Sequence, residues 1–87
     1  MRAIVPKRKY KAPAYITDRL EELKLIQNGW YWGKEGRKAR RSSLRAAHER
    51  FREYDGPRVY LYLMIDGYIS AEFEPTSLGF QHEDEIL

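Results

Sequence analysis

Between Arg37 and Arg45 the run RKARRSSLR gathers five cations: Arg37, Lys38, Arg40, Arg41 and Arg45. Their chemistry is anion recognition. A guanidinium grips phosphate or carboxylate with two parallel hydrogen bonds, and an ammonium acts as a point charge. Ser42 or Ser43 is a good helix cap, which predicts a helix over about residues 43–54 with the cations just before and inside its first turn. Unpaired backbone N–H groups at a helix N-terminus favour phosphate. Cations there oppose the helix dipole, so local stability does not account for them. Two other readings stay open. The cations could neutralise Glu72, Glu74 and the acidic C-terminal tail. Arg40-Arg41-Ser42-Ser43-Leu44 also resembles a basophilic phosphorylation pattern, although short patterns recur by chance.

A second basic group, Lys7, Arg8, Lys9 and Lys11 in PKRKYK, repels itself when compacted. Residues 1–12 therefore read as a flexible basic arm, suited to a phosphate backbone or left in solvent. The same run resembles a short nuclear-import signal. Catalytic groupings are missing. No nucleophile stands with a base, no acids are paired, and Gly33 with Gly36 is too little for a phosphate-cradling loop. There is no cysteine, hence no disulfide framework or thiolate metal site. His48 reads as a half-buried packing residue of the second helix. His82, in HEDE, reads as part of a solvated tail. The chain is accordingly expected to be non-enzymatic, with no metal and no cofactor.

The elements that position these groups follow from periodicity. In AYITDRLEELKLIQ, residues 14–27, Ile16, Leu20, Leu23 and Ile26 form one helical stripe. Pro13 suits the first helical position, Asp18 with Glu21 offers a later start, and Asn28-Gly29 supplies the stop. Gly29-Trp30-Tyr31-Trp32-Gly33 alternates like a short strand. Both tryptophans would share one side, as core anchors or as platforms for nucleobases.

Pro57 to Glu74 holds two strand-like runs joined by Asp66-Gly67, a strong hairpin signal. A two-residue loop would set Leu61 opposite Glu72 and Val59 opposite Glu74. A three-residue loop with Gly67 left-handed instead puts Val59, Leu61 and Leu63 opposite Phe73, Ala71 and Ile69. Tyr60, Tyr62 and Met64 then meet Glu72, Ser70 and Tyr68. That register separates a dry face from a tyrosine face and is the one expected.

Together these predict an α+β fold in the order α-β-α-β-β. Two helices pack on a small, mainly antiparallel three-stranded sheet, with Trp30–Trp32 as the third strand. Residues 13–80 form the single domain, between the arm and an acidic tail at 81–87. Leu78 and Phe80 are expected to fold back on the core.

The net charge of +3 hides a split: +5 over residues 1–11, +6 over 34–52 and −7 over 53–87. A basic first part and an acidic last part suggest an anionic partner for one of them. The leading expectation is a small nucleic-acid-binding protein, for DNA or RNA, that meets phosphates with the arm and the Arg37–Arg45 run. The alternative is a protein-partner module, such as a small inhibitor or adaptor of phage or mobile-element type. Its contact surface would be Tyr60, Tyr62, Met64 and Tyr68, and its hairpin edge is free to form a homodimer. No leader-like or membrane-spanning apolar run is present, so a cytoplasmic setting is expected, or a nuclear one in a eukaryote.

Overall fold

The computed structural model describes residues 12–74 and 84–87. It is an α+β arrangement of two helices on one face of a three-stranded antiparallel sheet. Helix α1 spans Ala14–Leu25 and buries Ile16, Leu20 and Leu23, the stripe the sequence predicts. Pro13 caps it rather than opening it, and its carbonyl accepts from the N–H groups of Ile16 and Thr17. The later start at Asp18 is not used, because the apolar stripe already begins at Ile16.

Helix α2 spans Arg41–Arg50 and stops sooner than residue 54. Its cap is Arg40, without a side-chain cap bond, and not Ser42 or Ser43. The reason is tertiary. Ser43 Oγ accepts from Ile69 N–H at 2.9 Å and donates to the Leu87 carbonyl at 2.5 Å, tying α2 to the sheet. Phe51 follows α2 and is fully buried, edge-on to Tyr54. Tyr54 donates to the Pro57 carbonyl, closing the turn into the sheet. Its hydroxyl pKa is raised, chiefly by burial.

The hairpin has the expected register. Strand β1, Val59–Leu63, pairs with β2, Ile69–Phe73, as Val59↔Phe73, Leu61↔Ala71 and Leu63↔Ile69. Gly67 has φ 92° and its N–H reaches the Met64 carbonyl, so the three-residue bulged turn is present. Val59, Leu61, Leu63, Ile69 and Ala71 form the dry face against Ile16, Leu20, Leu23, Ala47 and Phe51.

The third strand departs from expectation. Strand β3 is Asp84–Ile86, paired with β2 through Ala71↔Glu85, so the acidic tail completes the sheet. Alternation sends Glu85 toward the helices, where it meets Arg50 at 2.8 Å and 3.2 Å. That bidentate contact raises the Arg50 pKa, with the hydrogen bond from Glu85 the largest cause.

The Gly29–Gly33 stretch is not a strand of the sheet. Tyr31 bridges Glu35 around a tight turn at Trp32–Lys34. Trp30 is half-buried, but Trp32 is 85% exposed, so the two tryptophans do not form a joint anchor. Glycines at both ends of this short segment favour a reversal of direction over extension into a sheet. Leu78, Phe80, His82 and the arm cations Lys7, Arg8, Lys9 and Lys11 lie outside the described residues.

Candidate nucleic-acid interface

The segment between the two tryptophans and α2 is held at nearly every step. Asn28 Oδ1 accepts from Lys38 N–H at 2.8 Å. Gly29 N–H reaches the Gly36 carbonyl at 2.7 Å, and Trp30 Nε1 donates to the Arg37 carbonyl at 2.9 Å. Beyond it, Arg37 N–H and Arg40 N–H donate to Ile65 and Gly67 carbonyls, both at 2.9 Å. The stretch leading into α2 is thus strapped along the hairpin turn. A methyl group on Gly67 would stand 2.8 Å from the Lys38 carbonyl, which shows how close the two backbones run.

This strap separates the five predicted cations. Arg40 is engaged within the fold: its Nε donates to the Asp66 carbonyl at 3.1 Å, and its guanidinium lies 4.5 Å from the Tyr68 ring centroid. Arg37 is exposed beside the turn, its Cβ 3.6 Å from where a Gly67 side chain would start. Lys38, Arg41 and Arg45 come together in a surface groove of about 550 Å³ between the helices, joined by Lys24 of α1. Ala39 and Leu44 add apolar wall, and Glu21 is the one carboxylate lining it.

His48 also lines this groove and is exposed, not half-buried as expected. It lies one position past the buried Ala47, and a helix turns about 100° per residue. Lys24 escaped the sequence reading because only the packing of α1 on α2 brings it here.

Charge compensation decides what the groove can do. Among the described residues the ion pairs are Arg19–Glu22, Arg50–Glu85 and Arg52–Glu49. None uses Lys24, Lys38, Arg41 or Arg45. The acidic tail does neutralise a cation of α2, but that cation is Arg50. The N–H groups of Arg41 and Ser42 find no backbone acceptor among the described residues, and α2 has no acidic residue in its first turn. Four cations and an unfilled helix start therefore face solvent together, a setting suited to a phosphate group.

Ser42 is exposed and Ser43 is 1% exposed, so only Ser42 of the basophilic pattern is open to modification. No group of three or more metal-ligating side chains occurs among the described residues.

The tyrosine face is also formed. Tyr60 and Tyr62 are 40% and 45% exposed, and Met64 and Tyr68 continue the row toward the turn. Arg58 sits 4.2 Å from the Tyr15 ring centroid and 5.6 Å from that of Tyr60. The outer edge of β1 is partly taken, because Val59 N–H donates to Tyr15 Oη and Arg19 Nε donates to the Leu61 carbonyl. Helix α1 thereby blunts the edge on which a strand-paired homodimer would depend.

No protein-family model matches the chain, and no curated protein or solved structure compared with it is significantly similar. No helix among the described residues is long and apolar enough to cross a membrane.

Proposed function

We propose that this protein binds nucleic acid through the groove formed by Lys24, Lys38, Arg41 and Arg45. The observation that supports this reading is the uncompensated charge: these side chains line one groove and enter no ion pair among the described residues. An internal counter-charge would remove the reason for an external anion. The one carboxylate that lines the groove, Glu21, forms no ion pair among the described residues, and Glu85 of the tail is occupied by Arg50. Cations carried by the two helices and the strap, and free of ion pairs among the described residues, meet phosphates without first breaking contacts within the fold. The reading involves no covalent chemistry, so the protein acts as a binder and not as an enzyme.

Binding to mixed-sequence DNA and RNA oligonucleotides across a salt series tests it. Affinity is expected in the micromolar range at low salt, falling steeply as salt rises, because each neutralised phosphate releases counterions. Replacing Lys38, Arg41 and Arg45 together by alanine should flatten the log–log salt slope by about 2–3, since each lost contact removes about 0.7–0.9. Arg40 is left intact because it holds the turn. Absence of micromolar binding at low salt, or a variant that binds like the wild type, refutes the proposal.

A second reading rests on the tyrosine face, where Tyr60 and Tyr62 stay open beside the exposed Ile86 of β3. Tyrosine-rich patches of this kind suit a protein partner. The same salt series distinguishes it, because contacts built on aromatic burial persist at salt concentrations that dissolve phosphate contacts.

A further inference from the structure

Trp32 sits at the tip of the strapped segment, 85% exposed. A lone exposed apolar side chain is ordinary on a protein surface. This one is presented in an unusual way. The turn beneath it is closed by Tyr31 N–H on the Glu35 carbonyl at 2.8 Å and by Gly29 N–H on the Gly36 carbonyl. Trp30 underpins it from the half-buried side, pressed so near Gly36 that an added methyl there would meet the indole at 2.9 Å. Lys34, two residues after Trp32, has φ 64°, the left-handed region that side chains other than glycine seldom adopt. Such a conformation is strained and persists only where surrounding contacts enforce it. The fold thus holds a strained turn that carries an exposed indole at its tip, two residues before Lys34.

The charge around the tip says what would cover it. Lys34 is at the tip, and Arg37, Lys38, Arg41 and Arg45 follow along the chain toward the groove. Lys38 is six positions after Trp32, so their α-carbons are at most about 22 Å apart, even for extended chain. That span fits within a single-stranded site of roughly 4–16 nucleotides. An indole on the same strapped segment that brings Lys38 to the groove has a natural occupant in an unpaired base, whose own phosphates continue toward the groove. A base inside a duplex hides its face in the stack and offers nothing to a tip residue. Resting on the nucleic-acid reading above, we infer that the ligand is single-stranded nucleic acid, with Trp32 stacking on an unpaired base. Stacking is indifferent to base identity and to the sugar, so DNA and RNA single strands share this chemistry.

The test compares short oligo(dT), oligo(U) and a mixed-sequence DNA duplex by fluorescence anisotropy, with wild type, Trp32→Ala and Trp32→Tyr. Single strands should bind more tightly than the duplex at equal salt. Trp32→Ala should weaken single-strand binding about tenfold to a hundredfold, the loss of one stacked base. Trp32→Tyr should recover most of it, and duplex binding, carried by phosphates, should stay within about twofold. Trp32 lies outside the core, and the near-ultraviolet signal of Trp30 reports that the variants remain folded. Unequal responses of oligo(dT) and oligo(U) to Trp32→Ala assign the natural ligand to the strand type that loses more. If Trp32→Ala binds single strands like the wild type, the inference fails and the groove proposal stands. If neither single strand nor duplex binds, both fail. A tryptophan blue shift with anionic lipid vesicles but not with oligonucleotides assigns the tip to a membrane surface and overturns the inference.

Discussion

Ser43 is the most demanding single residue of the fold. Its hydroxyl is buried and uses both roles, accepting from Ile69 N–H and donating to the Leu87 carbonyl. Truncation removes the acceptor of an N–H whose own residue is fully buried. An orphaned buried donor carries most of its desolvation penalty, about 1–3 kcal/mol. Ser43→Ala should therefore lower the urea midpoint by that equivalent with an unchanged slope, since the compactness of either state is not at issue. A loss below about 0.5 kcal/mol would mean that water replaces the hydroxyl. The sequence singled out Ser42 and Ser43, yet for a cap. Propensity alone cannot see that a strand 26 residues later needs an acceptor at that point.

At the scale of elements, the hairpin was legible because its constraints are local. Alternation over Val59–Leu63 and Ile69–Phe73 and one Asp-Gly step leave a single register that keeps charge off the dry face. Helix α1 was legible for the same reason. The third strand was not. Asp84-Glu85-Ile86 has no strand signature by itself, and it pairs because β2 offers an open edge and Arg50 takes Glu85. The tryptophans misled because alternation over five residues does not distinguish a strand from a turn. The groove was half legible: the cations were named, but their grouping with Lys24 and His48 is a product of helix packing.

The element coupling can be measured at Gly67, where the hairpin turn touches the strap. Gly67→Ala meets both a left-handed φ and the Lys38 carbonyl. Gly33→Ala meets a left-handed φ of 68° with open space around it. The left-handed conformation alone costs about 1–2 kcal/mol. Gly67→Ala should therefore depress the melting temperature clearly more than Gly33→Ala and should also weaken oligonucleotide binding by displacing Lys38. Equal losses of stability would mean that strap and turn are not in firm contact.

For the molecule as a whole, the basic groove sets stability against binding. Arg41 and Arg45 lie in the first turns of α2, where the N-terminal end of the helix dipole is positive, and no acidic side chain occupies the first turn. A charge of the wrong sign there is unfavourable by about 0.3–1 kcal/mol at low ionic strength. The neighbouring Lys24 and Lys38 add like-charge repulsion, softened only by Glu21. Arg41→Glu reverses the dipole contribution and relieves that repulsion. It should raise stability by about 0.5–2 kcal/mol at low salt. The gain should shrink as salt is added, because exposed charges are screened within about 10 Å at 0.1 M. The same substitution should lower oligonucleotide affinity, since it places a carboxylate where a phosphate is to sit. Opposite signs in the two measurements are what distinguish a binding cluster from a structural one. Denaturation and binding titrations on Arg41→Glu at two salt concentrations give both signs. If the substitution destabilises the protein at low salt, these guanidiniums serve the fold, and the claim that they await an external anion loses its basis.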